Sequence, residues 1–257
     1  MRKDNAVLRV ENLRKSFGAL VAVDGASLAV ERGTITGLIG PNGAGKSTLF
    51  NLISGFYEPD GGRVEVNGAD VAGLEPYEIA ARGLMRTFQT PRKLEGMTVR
   101  EAMLVGPRNQ PGESFHKLFT DTDAVRERER RHLAAVERIL EEFEIDHLAT
   151  QPATQISGGQ MKLVELARAM LAEPEVLLLD EPAAGVNPTL RQQLAAQIRR
   201  LRAEGTTFLL IEHDMDFVME LADPVVVLNR GSVLTEGTPA EVRNDDRVID
   251  AYLGGAP

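Results

Sequence analysis

Short apolar segments, separated by polar and glycine-rich stretches, recur along the chain. Residues 7–13 and 22–30 alternate between apolar and polar side chains, which predicts two half-buried strands. Runs rich in apolar and β-branched residues occupy 34–39, 175–179 and 206–211. Such runs are typical of strands that are covered on both faces, as in a parallel sheet. The pattern therefore predicts an α/β protein with an antiparallel β layer near the N-terminus and a buried, mostly parallel sheet.

The segment from 92 to 155 differs in composition from the rest of the chain. Within it, residues 121–143 carry apolar side chains near one face at helical spacing, with Arg and Glu elsewhere. These apolar positions are Val125, Leu133, Val136, Leu140 and Phe143. The charge run at 126–131 contains both signs, which favours a solvated helix face over a nucleic-acid site. We predict an inserted helical subdomain at 92–155, between two parts of an α/β core at 1–91 and 156–257.

A glycine-rich loop at 40–48 lies between a predicted strand and a predicted helix. Its sequence, GPNGAGKST, fills every fixed position of the pattern G-x-x-x-x-G-K-[ST]. Glycines let the backbone turn its amides inward and the helix N-terminus adds partial positive charge, so the loop is suited to an anionic polyphosphate. Lys46 would neutralise the β and γ phosphate oxygens, and Ser47 would offer its hydroxyl to Mg²⁺. A chance lysine in a glycine-rich turn is a poor alternative, because the flanking segments also match.

Three predicted strands end in polar residues of kinds that ligand sites use. Gln89 follows a short apolar segment at 84–88 that is predicted as a strand, Asp180 and Glu181 end the strand that begins at 175, and His213 follows the strand at 206–211. Because the carboxyl ends of parallel strands open onto the ligand crevice, we expect these side chains to converge on the phosphate loop. Asp180 is suited to hold Mg²⁺ through water, and Glu181 to accept a hydrogen bond from an attacking water. Gln89 is an amide able to touch both a metal ion and a water, although each residue taken singly also fits a solvated loop.

The sequence allows two interpretations for each of two further features. Phe17 precedes a glycine and is either a flat platform for a nucleotide base or a core residue, and taken alone the core interpretation is favoured. The residues at 157–160, SGGQ, precede an apolar helix. Ser157 is therefore either a plain helix cap or part of an anion site.

Composition narrows the class of protein. The 257 residues are 43% hydrophobic, which is enough to fill a core, and the formal net charge of −9 argues against broad nucleic-acid binding. The absence of cysteine excludes disulfides and thiolate metal sites, and the four histidines are scattered. The N-terminus lacks a signal core, and no run approaches the roughly 18 to 20 apolar residues of a membrane span. We therefore expect any membrane role to depend on a partner.

Taken in order, these motifs resemble the ATP-binding subunits of ABC transporters over almost the whole chain. The motif that distinguishes this family from other NTPases is S-G-G-Q at 157–160, which precedes the strand that ends in Asp180 and Glu181. Many other NTPases carry the phosphate loop without it. The resemblance implies a P-loop NTPase core with a RecA-like mixed sheet, and it implies that the catalytic groups are Glu181, His213, Gln89 and Lys46. It also implies Mg²⁺ contacts from Ser47, Gln89 and Asp180. The ATP contacts that it implies are Phe17, Val23, Gly40, Pro41, Asn42, Gly43, Ala44, Gly45, Lys46, Ser47, Thr48, Gln89, Ser157, Gly158, Gly159, Gln160 and Asp180.

Within that family, four segments look most like the larger ATPase subunit of branched-chain amino acid importers. They lie at 86–89, 182–188, 211–215 and 251–254. The resemblance implies a second ATPase subunit, identical or homologous, packed head to tail, together with permease subunits and, indirectly, a solute-binding protein. The implied location is the cytoplasmic face of the cell membrane. The chain departs from the family pattern at Ile156, where leucine is usual, and at Asn187, where most members have aspartate.

Other classes remain as alternatives. A GTP-binding switch needs N-K-x-D, and the sequence at 229–232 is N-R-G-S. Non-transport ATPases with the same cassette usually have two cassettes or a long coiled coil, and this chain shows neither. ATPases of urea or other small-solute importers, and of lipopolysaccharide export, fit the same motifs, because solute choice belongs to the membrane and binding-protein subunits.

Overall fold

The computed structural model describes residues 5–87, 94–108 and 122–253, and the chain divides into two compact units. The first comprises Met1–Gln89, Pro174–Ala184 and Ala195–Pro257, and the second comprises Thr90–Glu173 and Gly185–Leu194. The inserted segment predicted at 92–155 falls within the second unit, which extends on to Glu173.

All described strands belong to the first unit. They are β1 (Ala6–Phe17), β2 (Leu20–Glu31), β3 (Ile35–Ile39), β4 (Gly61–Val66), β5 (Ala69–Asp70), β6 (Leu84–Arg86), β7 (Val176–Asp180), β8 (Thr207–Ile211), β9 (Val225–Asn229) and β10 (Ser232–Gly237). The α-helices are α1 (Lys46–Ile53), α2 (Pro76–Ala81), α3 (Val99–Met103), α4 (Thr122–Glu142), α5 (Gly158–Met170), α6 (Pro188–Ala203), α7 (Met215–Leu221), α8 (Pro239–Arg243) and α9 (Asp246–Leu253), with a 3₁₀ turn at Asp146–Leu148. Helices α3 to α5 belong to the second unit, and α6 has residues in both.

The predicted antiparallel layer is a four-stranded sheet in the order β2-β1-β4-β5. Its strands are longer than predicted, because β1 continues past Leu13 to Phe17. The register shifts between Val10 and Leu13, where Asn12 has φ 48°. A bulge of this kind interrupts the alternation of apolar and polar positions, so the second half of β1 lacks the period-two pattern that a sequence search uses.

The second sheet is mixed and six-stranded, in the order β10-β9-β3-β8-β7-β6. Strands β9, β3, β8, β7 and β6 run parallel to their neighbours, and β10 pairs antiparallel with β9. Every residue of β3, β7 and β8 is buried. Burial on both faces explains why these strands read as continuous apolar runs and confirms the predicted α/β class with a mixed sheet.

One apolar cluster joins the two sheets of the first unit and α1. It includes Leu8 and Val64 from the antiparallel sheet, Leu178 from the mixed sheet, and Phe50 from α1. Phe50 is 0% exposed, and burying a side chain of this size contributes on the order of 2–3 kcal/mol. The cluster therefore fixes α1, and with it the loop that precedes α1, against both sheets.

In the second unit, α3 begins at a reciprocal cap formed by Thr98 and Glu101. The Thr98 hydroxyl accepts a hydrogen bond from the Glu101 amide at 3.3 Å, and the Thr98 amide donates to the Glu101 carboxylate at 2.7 Å. This reciprocal pair satisfies two amides that have no partner within the helix.

Helix α4 covers the predicted amphipathic segment with two differences, the first being that Val125 is only partly buried. Val136, Leu140 and Phe143 are buried as expected, but Leu133 is 40% exposed. The buried stripe also contains Ile139, so it follows positions i, i+3, i+4 and i+7 from Val136 onward. The charged residues at 126–131 are exposed, as the mixed-sign run predicts.

Helix α4 is 21 residues long, and that many residues in a helix reach about the thickness of a bilayer core. Its many Arg and Glu side chains are incompatible with a hydrocarbon environment. Within residues 5–87, 94–108 and 122–253, no helix has both the length and the apolar character to cross a membrane.

Candidate functional site

The sheet register brings the ends of three central strands to one level. Leu38 of β3 pairs with Ile211 of β8, and Ile211 pairs with Asp180 of β7. The phosphate loop, His213 and Glu181 follow these three strands directly and therefore leave the sheet at the same edge. The predicted convergence of strand ends is present for these groups.

Two glycines of the phosphate loop are required by its geometry. Gly40 has φ 155°, and a Cβ there would lie 2.1 Å from the Leu228 carbonyl oxygen. Gly45 has φ 99°, and its Cβ would lie 2.4 Å from the Ala22 carbonyl oxygen. Both contacts are with backbone, which cannot move aside as a side chain does, so only glycine lets the loop pass between β2 and β9.

Lys46 is the first residue of α1, and its side chain folds back along the loop. Its Nζ donates to the Gly40 carbonyl at 2.6 Å and to the Pro41 carbonyl at 3.0 Å. The residue is buried, and burial lowers the pKa of Lys46, an effect that the charge of Glu181 opposes. Because a carbonyl is a weaker partner for an ammonium than an anion is, a phosphate oxygen in the loop would be the better acceptor.

A cavity of about 320 Å³ opens beside this loop. It is lined by Lys46, Ser47 and Thr48, by His213, and by Leu20 to Ala22 of β2. A second cavity, of about 470 Å³, shares Asn42 to Ala44 with it and is lined further by Arg230 and Arg247. The smaller cavity contains the lysine, the hydroxyls and the histidine that the sequence predicts for a nucleotide site.

Glu181 and His213 are in direct contact. His213 Nε2 lies 2.7 Å from Glu181 Oε1, and the Glu181 amide donates to the Ile211 carbonyl at 2.9 Å. Glu181 has φ 49°, which costs a residue with a side chain on the order of 1 kcal/mol or more. Surrounding contacts must therefore hold it in place, and the result is a carboxylate oriented by an imidazole, the arrangement of a general base.

Glu212 ties together the loops that carry this pair. Its Oε1 accepts from the Ala183 amide at 2.6 Å, and its Oε2 accepts from the His213 amide at 3.2 Å. The side chain is almost fully buried, and burial raises the pKa of Glu212 against the opposing effect of those amides. Glu212 is not among the site residues predicted from the sequence. It could have been predicted from its position directly after a fully apolar strand. A carboxylate buried there needs hydrogen-bond partners, and such partners would fix the neighbouring loops.

Asp180, the predicted Mg²⁺ ligand, ends β7 and forms an ion pair with Arg86 of β6. The Arg86 guanidinium lies 2.8 Å from Asp180 Oδ2, and both side chains are about nine-tenths buried, at 10% and 8% exposed. Arg86 is likewise not among the predicted site residues. Its signal was an arginine inside an apolar strand, since arginine is rarely buried without an acidic partner.

Phe17 is not a core residue, so the interpretation favoured by its sequence context alone is wrong. Its side chain is 44% exposed, and its ring meets Tyr57 edge to face with centroids 5.3 Å apart. Leu20 and Val21 beside it are 67% and 53% exposed, and both line the smaller cavity. The side chain is apolar and solvent-accessible, as a platform for a base requires.

We predict that Phe17→Ala weakens ATP binding roughly 3- to 10-fold through loss of ring stacking on the base. Phe17→Tyr keeps the ring and serves as the matched control, with affinity close to the unchanged chain. Titration of a fluorescent ATP analogue measures both variants. Equal affinity for the alanine variant and the unchanged chain would exclude a role in base stacking.

Val23 and Gln89 were also predicted to contact the nucleotide. Val23 is 0% exposed in the hydrophobic core, and the smaller cavity contacts Val21 and Ala22 of the same strand instead. Gln89, predicted to touch both metal and water, lies outside the described residues.

The S-G-G-Q segment belongs to the second unit and starts α5. Ser157 Oγ accepts from the Gln160 amide at 3.2 Å, and the Ser157 amide donates to Gln160 Oε1 at 2.9 Å. This reciprocal pair is a helix cap, and Ser157 and Gly158 remain exposed, so the cap does not exclude an anion at this helix start. Gly159 is buried, and a Cβ there would lie 2.7 Å from the Leu190 side chain.

Asn187, a position that departs from the ABC pattern, lies directly before α6 and caps it. Its Oδ1 accepts from the Leu190 amide at 3.0 Å, and Pro188 occupies the first helical position. Both Asn and Asp are strong N-terminal caps, so the helix start is kept without the negative charge.

The oxygen-bearing side chains near the phosphate loop are suited to Mg²⁺ that binds together with a nucleotide. Among the described residues, no group of three or more His, Cys, Asp or Glu side chains could hold a metal ion alone. Mg²⁺ is commonly bound by one or two protein groups together with substrate phosphates and water. Ser47, which lines the smaller cavity, and Asp180 at the same sheet edge are two groups that could hold it in this way.

Comparison with known proteins gives the same class as the fold and the loop, that of ATP-binding cassettes. A family model described as ABC transporter matches residues 23–184, and one described as branched-chain amino acid ATP-binding cassette transporter matches 232–257. The chain therefore belongs to the ABC transporter family of transport-coupled ATPases.

Within that family, similar proteins include ATP-binding subunits for branched-chain amino acid transport. The chain is 42% identical to the high-affinity branched-chain amino acid transport ATP-binding protein BraF of Pseudomonas aeruginosa, over 97% of this chain and 98% of that protein. It is also 42% identical to the probable branched-chain amino acid transport ATP-binding protein LivG of Methanocaldococcus jannaschii, over 99% and 100%.

Solved structures are similar over nearly the full length. A nucleotide-free ATP-binding cassette from an ABC transporter superposes with a TM-score of 0.83 at 41% identity, covering 96% of this chain and 98% of that chain. The ADP conformation of an ATP-binding cassette of an ABC transporter gives 0.81 at 40% identity, covering 97% and 99%. The predicted fold class is thereby confirmed.

Proposed function

We propose that this chain binds and hydrolyses Mg²⁺-ATP and that the hydrolysis powers a branched-chain amino acid importer. The observation that supports the chemistry is the contact between Glu181 and His213 at the sheet edge where the phosphate loop begins. The observation that supports the transported solute is the extent of similarity to branched-chain amino acid transport subunits.

In the proposed reaction, the loop binds the triphosphate and Lys46 neutralises its β and γ oxygens. Ser47 and Asp180 would hold Mg²⁺, which supplies charge neutralisation at the phosphates when bound. Glu181 accepts a hydrogen bond from the attacking water and orients it toward the γ-phosphorus. His213, held by its contact with Glu181, fixes the carboxylate and faces the same cavity.

The second unit supports the proposal of a two-subunit site. Ser157 and Gly158 are exposed at the N-terminus of the 13-residue helix α5, where amides and the helix dipole favour an anion. In the proposed arrangement, these residues contact the γ-phosphate bound by a second ATPase subunit, identical or homologous. A phosphate shared by two subunits favours the closed pair, and its loss on hydrolysis favours opening.

The proposed partners are the permease subunits of the importer, to which the chain would attach at the cytoplasmic face of the membrane, and indirectly a solute-binding protein. The helices of the second unit are candidates for the permease contact, because α4 presents an exposed, strongly charged face. The charge of −9 gives no support to a nucleic-acid partner.

The test is transport by the complete complex. The chain, its second ATPase subunit and the permease subunits are reconstituted in vesicles with the solute-binding protein, and uptake of labelled leucine, isoleucine and valine is measured with ATP or ADP. We expect uptake that requires ATP and that urea in excess does not inhibit. ATP-dependent urea uptake without leucine uptake would assign the chain to another solute, and activity only with lipopolysaccharide would assign it to export.

A further inference from the structure

Arg86 occupies a fixed place beside Asp180, the proposed Mg²⁺ ligand. It is the last residue of β6 and pairs in register with Leu178 of β7. Side chains two residues apart on a strand share one face of the sheet, so Asp180 lies on the same face as Leu178 and diagonally opposite Arg86. The pairing of strands therefore sets the ion pair, and no loop has to be ordered to form it.

The guanidinium of Arg86 has partners on two elements. One terminal nitrogen donates to Asp180 Oδ2 at 2.8 Å. The other donates to Asn51 Oδ1 at 2.7 Å and to Ser54 Oγ at 2.9 Å. Asn51 belongs to α1 and Ser54 caps its C-terminal end, so a single planar group connects the helix that follows the phosphate loop to the strand that carries the metal ligand.

The surroundings of this guanidinium favour a fixed positive charge. The rings of Phe50 and Phe56 lie with their centroids 5.7 Å and 5.6 Å from its central carbon, within the range of cation–π attraction. The C-terminal end of a helix, here that of α1, also favours a cation. A carboxylate as buried as Asp180 needs such a partner, because burying an unpaired charge is strongly unfavourable.

We propose that Arg86 is a positioning residue of the nucleotide site, the counter-ion that pairs with the Asp180 carboxylate and orients it while no metal is bound. The guanidinium holds Oδ2 by a directed hydrogen bond. Its charge also opposes the approach of a second cation to the same carboxylate. Metal would therefore enter with the charge of the phosphates that accompany it and not alone. The metal-dependent part of this inference rests on the proposed function.

The test uses Arg86→Gln, Arg86→Lys, Asp180→Asn and the double variant Arg86→Gln/Asp180→Asn in the full chain. Arg82→Gln is the matched control, because Arg82 is an exposed arginine four residues away. The first measurement is the melting temperature without nucleotide in EDTA. The second is the ratio of the dissociation constants of a fluorescent ADP analogue in EDTA and in Mg²⁺.

Without nucleotide, we expect Arg86→Gln to lower the melting temperature by roughly 5–10 °C, because it leaves a buried charge unpaired. The double variant should recover at least about half of that loss, because both charges are then gone. Arg86→Lys should lose less than Arg86→Gln, since the charge remains, and Arg82→Gln should melt like the unchanged chain. If Arg86→Gln does not fold but the double variant does, the counter-ion role is supported. If neither folds, it is overturned.

With nucleotide, we expect Arg86→Gln to raise the Mg²⁺ enhancement of ADP affinity on the order of tenfold, because the metal no longer competes with a fixed cation. Arg86→Lys should keep the ratio of the unchanged chain, and Asp180→Asn should reduce it. An unchanged ratio in Arg86→Gln, with additive stability losses in the double variant, would show that Arg86 only packs against α1. If the unchanged chain binds no nucleotide, the proposed function fails, and the EDTA melting measurements still decide the counter-ion role.

Discussion

Replacing Glu181 by glutamine should slow ATP hydrolysis by a factor on the order of 10² or more, while ATP binding stays intact. Glutamine has the same shape but is a poor proton acceptor, and Glu181 is the carboxylate that His213 Nε2 contacts at 2.7 Å. Lys46 and the loop glycines, which bind the phosphates in the proposed mechanism, are unchanged. Phosphate release and titration of a fluorescent ATP analogue measure hydrolysis and binding separately.

Glu220→Gln is the matched control for this variant, because Glu220 is an exposed glutamate paired with Arg199. Its hydrolysis should equal that of the unchanged chain. The Glu181 variant should also accumulate ATP-bound pairs of subunits, which gel filtration with Mg²⁺-ATP detects. Normal turnover by the Glu181 variant would remove this residue from the mechanism.

Replacing Lys46 by alanine should abolish nucleotide binding, with an increase in the dissociation constant of about 100-fold or more. The ammonium is buried at the centre of the loop, with its Nζ within 3.0 Å of two backbone carbonyls, and no other lysine or arginine lines the smaller cavity among the described residues. A fluorescent nucleotide titration gives the result directly, and a melting curve shows whether the variant is folded.

Arg230→Ala is the control that separates the two cavities. Arg230 lines the larger cavity, which shares Asn42 to Ala44 with the nucleotide cavity, and its loss should leave binding unchanged. If affinity fell with Arg230 and persisted without Lys46, the nucleotide would belong to the larger cavity.

Local patterns made most of the fold predictable. The phosphate loop depends on glycines and one lysine at fixed spacing, and the buried strands depend on uninterrupted apolar runs. Both can therefore be recognised in a short stretch of sequence. The meeting of strand ends followed from one general property of parallel sheets and is present for Asp180, Glu181 and His213.

The sequence-based predictions are wrong or incomplete where tertiary structure determines the burial or the role of a residue. Phe17 looked like core because aromatic residues usually are, but β1 extends to it and leaves it exposed at the hairpin. Leu133 has the helical spacing of a buried residue, yet the buried stripe of α4 begins at Val136. Arg86 and Glu212 were missed because their roles depend on partners 94 and 29 residues away along the chain.

A structure of this chain with its second ATPase subunit and a non-hydrolysable ATP analogue tests the central claim most directly. The account predicts the triphosphate in the loop at 40–48 and the Ser157 hydroxyl within about 3.5 Å of a terminal phosphate oxygen bound by the other subunit. A triphosphate in that loop with Ser157 of both subunits remote from any phosphate would contradict it.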